Sequence, residues 1–169
     1  QAVSERLRAA ELQAKRAPGS VTLLAVSKTF GAPAVAAVHD AGQVAFGENY
    51  IQEAVEKIQA LDALRTQLVW HCIGPIQSNK TRVVAAHFDW VQTIDRLKIA
   101  QRLSEQRPSH LPDLQVCIQV NVDGGDTKSG VGLDDVDALA EAVRALPRLR
   151  LRGLMCIPDP VEGFTEQCA

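Results

Sequence analysis

Short apolar runs and segments with helical spacing alternate along the chain. Runs rich in β-branched and aromatic residues predict strands at 21–27, 44–46, 68–73, 90–94, 114–122 and 149–157. Apolar residues three and four positions apart predict helices at 3–17, 33–41, 51–64, 95–105 and 134–146. A further helix is expected to begin near Ser78 or Asn79 as its N-cap, and Asp95 is expected to cap the one after it. Six repeated strand–helix units indicate an α/β fold with a parallel sheet and right-handed crossovers.

Two architectures fit this alternation, an open doubly wound sheet and a (β/α)8 barrel. No Gly-x-Gly-x-x-Gly or Walker loop follows the first predicted strand, so the nucleotide-binding form of the open sheet lacks its signature. A barrel needs eight units, so two units, on the order of 50–60 residues, would be missing. The pattern alone leaves both architectures open.

The first predicted strand leads directly to a lysine. The six residues at 21–26 are all apolar or β-branched, which predicts a strand covered on both faces, and Lys28 follows one residue later. In α/β proteins the chemistry lies at the carboxyl ends of parallel strands. Lys28, with its stem against apolar walls, is therefore a candidate Schiff-base nucleophile. The alternative is a lysine that extends into solvent where the strand meets its loop.

Composition excludes several classes of partner. The chain has 169 residues, with 46% hydrophobic and 22% charged residues, so we expect one domain over 1–169. The net charge of −2, without a basic block, predicts no nucleic-acid partner, and no apolar run approaches the roughly 18 residues of a membrane span. Cys72, Cys117 and Cys156 each lie in an apolar run, which predicts small core residues in a reducing, cytoplasmic compartment.

Six motifs stand at or near the predicted strand ends. They are AVSKT at 25–29, FGENYIQE at 46–53, WHCIGPIQSNK at 70–80, QVN at 119–121, KSG at 128–130 and LRGLMCIP at 151–158. In this order and at these separations they resemble the pyridoxal phosphate homeostasis protein family, also called the proline-synthase co-transcribed family. The resemblance covers nearly the whole chain, from about residue 3 to 158.

The resemblance implies both a fold and a function. The fold is a (β/α)8 TIM-type barrel like the N-terminal domain of alanine racemase, in the fold-type III arrangement, here truncated after about six units. The function is the binding, buffering and delivery of pyridoxal 5′-phosphate (PLP) without established turnover. Lys28 would carry PLP as an internal aldimine, the protein would be a monomer, and PLP-dependent apo-enzymes would be the recipients.

The family continues into two further units, where a serine- and glycine-rich loop and an Arg-Ile-Gly segment hold the cofactor's phosphate. No segment after Pro158 resembles them. We therefore expect an open barrel that binds PLP more weakly than a complete chain.

Three further residues are candidates for cofactor contact. Lys128 resembles the family's lysine that faces the pocket, whereas Asn49 and Met155 are candidates because of their places at the end of the second and within the sixth predicted strand. Asn49 would bind cofactor oxygens, Lys128 would face the pocket, and Met155 would pack on the pyridine ring. Each has an alternative, namely an Asx-turn, a solvated loop lysine and a core methionine. Lys80 and His71 are weaker candidates, because a lysine in the first turn of a helix usually faces water and a histidine within a strand is usually a core residue.

Three candidate polar residues close apolar runs. Lys28, Asn49 and Asn121 each come directly after a predicted strand or at its end. Because parallel strands end at the same side of a sheet, we expect the three on one rim of the barrel.

Two enzyme functions stay open as alternatives. A PLP-dependent racemase needs an acid or base on each face of the substrate's α-carbon. In alanine racemase the second base is a tyrosine from a separate β-domain, whereas this chain has one tyrosine, Tyr50, and no such domain. That difference favours a carrier. The other alternative is a barrel enzyme that uses Lys28 for aldol-type chemistry without PLP.

Overall fold

The predicted strands form one parallel sheet in a computed structural model, which describes residues 2–124, 129–160, 163 and 165. Within these residues the strands are β1 (Ala25–Val26), β2 (Ala45–Glu48), β3 (Val69–Cys72), β4 (Trp90–Ile94), β5 (Leu114–Val120) and β6 (Leu149–Cys156). The α-helices are α1 (Ala2–Gln13), α2 (Ala32–Asp40), α3 (Ile51–Ala60), α4 (Thr81–His87), α5 (Leu97–Gln106) and α6 (Val136–Arg144). Short 3₁₀ turns occupy Asp62–Leu64 and Leu133–Asp135.

The order of the strands distinguishes the two architectures. Neighbours in the sheet follow the chain, β1-β2-β3-β4-β5-β6, and every pair is parallel. A doubly wound sheet reverses its order at a switch point and carries helices on both faces. A sequential order with right-handed crossovers places every helix on the same face, as in a (β/α)8 barrel. The described part of the chain is therefore six consecutive strands of a barrel-type wall.

The core lies between the outer face of this wall and the helices. Phe46, Trp70, Val91 and Val116 point outward from successive strands and are at most 1% exposed. They pack in one cluster with apolar residues from the helices, including Val35, Ile58, Val84, Leu103 and Val143. Burying these side chains removes apolar surface from water and holds the helices against the strands.

The inner face carries a different set of side chains. The strand register aligns Val26, Gly47, His71, Trp90 and Gln115 in one row across β1 to β5. Side chains alternate between the two faces of a strand, so this row points away from the helices. The inner surface is thus more polar than the outer one.

A β-bulge near the end of the sheet sets the direction of Met155. The register shifts between β5 and β6 so that Val116 pairs with Leu151 but Cys117 pairs with Gly153. Beyond this shift Met155 pairs with Gln119. An extra residue in one strand changes which side chains share a face. Met155 therefore shares the face of Gln119 and Cys117.

The first strand is much shorter than its apolar run predicts. Only Ala25–Val26 pairs with β2, and Val26 is 49% exposed, so the expectation of a strand covered on both faces is wrong. The side chain of Gln43 explains why the first part of the predicted strand, before Ala25, does not pair with β2. Its amide donates to the carbonyls of Leu23 and Ala45, at 2.8 and 2.7 Å, in the place where a strand ladder would continue.

Helix starts and ends also differ from the predictions. Ser78, Asn79 and Asp95 were expected to be N-caps, but α4 begins at Thr81 and α5 at Leu97, and neither has a side-chain cap. The hydroxyl of Thr81 instead donates to the Ser78 carbonyl at 3.0 Å. At the N-terminus α1 ends at Gln13 rather than at residue 17.

Exposure divides the three central cysteines. Cys72 is fully buried, as expected, whereas Cys117 is half-buried and Cys156 is exposed. The core prediction for Cys156 is wrong because it lies at the end of β6, which has only β5 as a neighbour in the described sheet. No helix in the described residues is long and apolar enough to cross a membrane.

Candidate functional site

Lys28 lies at the carboxyl end of the sheet, two residues beyond β1. Its side chain is exposed, contrary to the expectation of a stem held against apolar walls. The reason is that β1 has ended at this point and, within the described sheet, has β2 as its one neighbouring strand. Among the described residues it forms no hydrogen bond or ion pair. The amine is therefore free to meet a ligand.

A tight turn carries Lys28. The backbone N–H of Phe30 donates to the carbonyl of Ser27 at 3.1 Å, which closes the turn around Lys28 and Thr29. Thr29 has a φ of 69°, in the left-handed region that favours glycine and disfavours β-branched residues. The turn is therefore strained, and the surrounding contacts must hold it.

A buried ammonium group lies directly beneath the turn. Lys57 of α3 is only 5% exposed, and its Nζ donates to the Ser27 carbonyl at 2.7 Å. The same Nζ contacts carboxylate oxygens of Glu48 at 2.8 Å and of Glu53 at 2.6 Å. These three acceptors match the three donors of an ammonium group.

The two carboxylates reach the residues on either side of Lys28. Glu48 accepts from the Ser27 hydroxyl at 2.6 Å, and Glu53 accepts from the backbone N–H of Thr29 at 2.9 Å. The hydrogen bond from Lys57 holds the pKa of Glu53 below its ordinary value, although burial opposes this. We call Glu48, Glu53 and Lys57 the turn clamp.

Asn49 stands at the matching position on the neighbouring strand. It directly follows Glu48, as Lys28 directly follows Ser27, and Ser27 and Glu48 are in contact. In the described part of the chain its side chain makes no hydrogen bond, so the alternative Asx-turn is not formed. A Cβ at Gly74 would lie 2.3 Å from the Asn49 carbonyl oxygen, so only glycine lets the chain after β3 pass this close.

A cleft of about 610 Å³ opens beside Asn49 at the same end of the sheet. Its walls come from the residues that follow β2, β3 and β4, and from the loop after β5. Its lining also holds an ion pair, because Arg96 contacts the Asp95 carboxylate at 2.8 Å. The other polar side chains of the lining are Asn49, Tyr50, Gln52, Gln77, Lys80 and Ser129. Amide, hydroxyl and cationic groups in one cleft suit an anionic, oxygen-rich small molecule. Lys28 is not part of this lining.

The remaining predicted site residues are placed differently. Asn121 follows β5, so parallel pairing places it at the same end of the sheet as Lys28 and Asn49, as expected. Met155 lies on the inner face of β6, with β1 and β6 the two outermost strands of the described sheet. Lys128 falls outside the described residues.

His71 is buried on the inner face of the wall. Its ring stacks on Trp90 with centroids 5.1 Å apart, and Nδ1 lies 3.1 Å from the amide nitrogen of Gln92. Burial lowers the pKa of His71 to about 4, while the charge of Asp89 opposes the shift. The imidazole is therefore neutral at neutral pH. It is buried, as the core alternative expects, but on the inner face and not among the apolar side chains beneath the helices.

The turn clamp is the part of the site that the sequence analysis missed. The signal was present, because Glu53 and Lys57 have the i,i+4 spacing of a helical ion pair. Such pairs usually lie on a solvated helix face, where they contribute little. Only the contact between α3 and the end of β1 shows that this pair is buried beneath Lys28.

The fold and the site at its carboxyl end define a class of protein. Residues 2–164 match the family model of the alanine racemase N-terminal domain. Alanine racemase from Corynebacterium glutamicum shares the fold, with a TM-score of 0.60 and 19% identity over 92% of this chain and 43% of that one.

Closer relatives define the family within this class. The pyridoxal phosphate homeostasis protein of Pseudomonas aeruginosa is 61% identical over 167 residues, 99% of this chain and 72% of that protein. Its counterpart in Escherichia coli is 55% identical over 166 residues, 98% of this chain and 71% of that protein. The chain belongs to the pyridoxal phosphate homeostasis protein family.

A solved relative has the cofactor in place. The structure of PipY from Synechococcus elongatus, determined with PLP bound, matches with a TM-score of 0.80 and 35% identity. The match covers 98% of this chain and 74% of that one. Both the family and the barrel-type fold expected from the sequence motifs are thereby confirmed.

Proposed function

We propose that this chain binds PLP at the carboxyl end of its sheet, holds it covalently through Lys28, and serves in PLP homeostasis. The observation that carries the proposal is the exposed amine of Lys28 at the end of β1, which has no hydrogen bond or ion pair with the part of the chain that the structure describes. PLP supplies an aldehyde, which a lysine amine captures covalently with the loss of one water.

The surrounding residues fit a carbonyl-containing anion. Asn49 presents an uncommitted amide one strand away from Lys28, and we assign it to cofactor oxygens. Met155, on the inner face of β6, is assigned to contact with the ring, and Lys128 to the wall of the pocket. The ammonium group of Lys80 in the neighbouring cleft favours an anion at this end of the sheet, whereas the charge of Arg96 is offset by Asp95.

The side chains favour a carrier over a racemase. Proton transfer on both faces of a substrate needs a second acid or base within hydrogen-bond reach. Tyr50 lines the cleft beside Asn49, but it is 59% exposed at the start of α3, and burial keeps His71 neutral on the inner face of the wall. We therefore assign no catalytic residue to this chain.

The setting follows from the same reasoning. Cys72, Cys117 and Cys156 are unpaired, which suits a reducing, cytoplasmic compartment. A cytoplasmic PLP carrier delivers its cofactor to PLP-dependent apo-enzymes, and we propose these as recipients, with the carrier acting as a monomer.

Substitution of the anchor tests the proposal. The purified protein is incubated with PLP, reduced with borohydride and mapped by peptide mass spectrometry. We expect the adduct on Lys28, and none in Lys28→Ala or Lys28→Arg, because a guanidinium stays protonated and cannot attack. Lys98→Ala, which removes an exposed lysine of α5, is the control and retains the adduct. A stoichiometric adduct on Lys80 or Lys128 in Lys28→Ala would refute the assignment.

A further inference from the structure

We propose that the turn clamp of Glu48, Glu53 and Lys57 is a positioning device that fixes the turn at Ser27–Phe30 and so sets the direction of the Lys28 amine. The inference rests on the proposed function of Lys28 as the PLP anchor. It assigns roles to three residues that are not themselves in the cleft lining and that make no hydrogen bond or ion pair with the Lys28 amine in the described part of the chain.

The clamp contacts the turn at both residues that flank Lys28. Ser27 is held twice, through its carbonyl by Lys57 and through its hydroxyl by Glu48. Thr29 is held through its backbone N–H by Glu53. Within the described residues the Lys28 amine has no hydrogen bond or ion pair, so the main chain on either side is held while the amine stays free.

The strained backbone explains why a clamp is needed. Thr29 adopts a positive φ without being a glycine, and such a residue persists only where its surroundings hold it. The N–H of Thr29 donates to a charged acceptor, and hydrogen bonds with an ionised partner are stronger than neutral ones. Glu53 therefore offsets part of the strain at the residue next to the anchor.

The buried charges tie the clamp to the fold. Glu48 is 1% exposed and Lys57 is 5% exposed, so neither can leave its partners for water. Glu48 ends β2, whereas Lys57 and Glu53 lie on α3. The clamp therefore joins a strand, a helix and the turn at one point. A turn anchored in this way mostly adopts the conformation in which Lys28 can capture PLP. If the population of that conformation falls, the rate of capture falls in proportion.

Substitutions at Glu53 test the inference while leaving the buried pair of Lys57 and Glu48 intact. Glu53→Ala removes the acceptor for the Thr29 N–H. Glu53→Gln keeps a carbonyl acceptor there and is the conservative rescue. Glu56→Ala is the matched control. Glu56 is an exposed glutamate of the same helix, and its carboxylate accepts a 3.4 Å hydrogen bond from the side chain of Gln52 and not from the turn. Unfolding midpoints show that each variant is folded.

Two measurements are made on each variant. In Glu53→Ala we expect hydrogen exchange at the Thr29 amide to be about tenfold faster, and covalent capture of PLP by Lys28 to slow by a similar factor. Glu53→Gln is expected within about threefold of wild type in both measurements, because its amide oxygen still accepts. Glu56→Ala is expected to match wild type.

The two readouts separate this inference from the proposed function. If Glu53→Ala leaves both Thr29 exchange and the capture rate unchanged, the positioning role is wrong. If exchange rises but capture does not slow, the clamp stabilises the turn without directing Lys28, and the inference also fails. If wild type forms no adduct with PLP, the proposed function fails, and the inference fails with it even where Thr29 exchange responds.

Discussion

Two cations are buried at opposite ends of the sheet, and their partners differ in kind. Lys57 lies at the carboxyl end and contacts two carboxylates and the Ser27 carbonyl. Arg107 lies at the amino end, after α5, and is 3% exposed. Its partners among the described residues are main-chain carbonyls, those of Ala85 and Phe88 at 2.7 and 2.8 Å and of Pro112 at 2.9 Å.

The difference shows how one fold separates stability from function. The carbonyls around Arg107 belong to the last turn of α4, to the residue that follows it and to the loop before β5, so the arginine joins structural elements to one another. Lys57 also joins elements, but one of its partners is the turn that carries an exposed amine. In (β/α)8 proteins the carboxyl ends of the strands carry function and the amino ends contribute stability. The two cations follow this division.

Loss of Arg107 is expected to have the largest effect on stability. Arg107→Met leaves three carbonyl oxygens without their donor, and the free energy of unfolding should fall by about 3–5 kcal/mol. Chemical denaturation measures the change. The molecules that remain folded should capture PLP at the wild-type rate, because Arg107 is at the end of the sheet away from Lys28.

Arg144→Met is the matched control for Arg107. Arg144 lies exposed in the last turn of α6, and the change should stay within about 0.5 kcal/mol of wild type. If Arg107→Met slowed capture in its folded fraction, the functional separation of the two ends would be contradicted.

His71 predicts how acid acts on the wall. Its pKa is about 4 in the folded protein against an ordinary value of 6.5, so unfolding takes up a proton between these pH values. The contribution of His71 to the free energy of unfolding is therefore fully present above pH 6.5 and is lost as the pH is lowered toward 4. The loss from this residue is at most about 3 kcal/mol.

Unfolding curves across this pH range measure the effect. His71→Gln should flatten the slope, whereas His110→Gln, at an exposed loop position, should leave it unchanged. An identical slope in wild type and His71→Gln would show that the buried imidazole does not govern the acid response.

Much of the fold could be predicted because the apolar pattern is strong where burial is complete. β4 was predicted with its observed bounds, since every residue of Trp90–Ile94 except Gln92 is apolar or β-branched. β1 was predicted too long because an apolar run does not show that the Leu23 carbonyl accepts from the Gln43 side chain and not from the main chain of β2. The barrel itself could not be chosen from periodicity, and the family motifs supplied that choice.

The location of a site residue was predictable only where it follows from the residue's position along a strand. Asn49 and Asn121 were placed correctly at one end of the sheet because every strand is parallel. Their roles as ligands, like that of Met155, stay predictions. The turn clamp was not predicted, because it depends on a contact between α3 and a turn about 30 residues earlier, and no local pattern encodes that distance.

Gly74 offers the smallest and most local test, at the functional end of the sheet. A Cβ at this position would lie 2.3 Å from the Asn49 carbonyl oxygen and 2.9 Å from its Cα, so Gly74→Ala must displace main chain. We expect a loss of about 1–3 kcal/mol in the free energy of unfolding. Because the displaced residue is Asn49, PLP capture should weaken as well, which distinguishes this change from Arg107→Met. Gly132→Ala is the control, since its Cβ would meet no atom within 4 Å. If Gly74→Ala matched Gly132→Ala in both stability and capture, the close approach at Asn49 would have no role in the site.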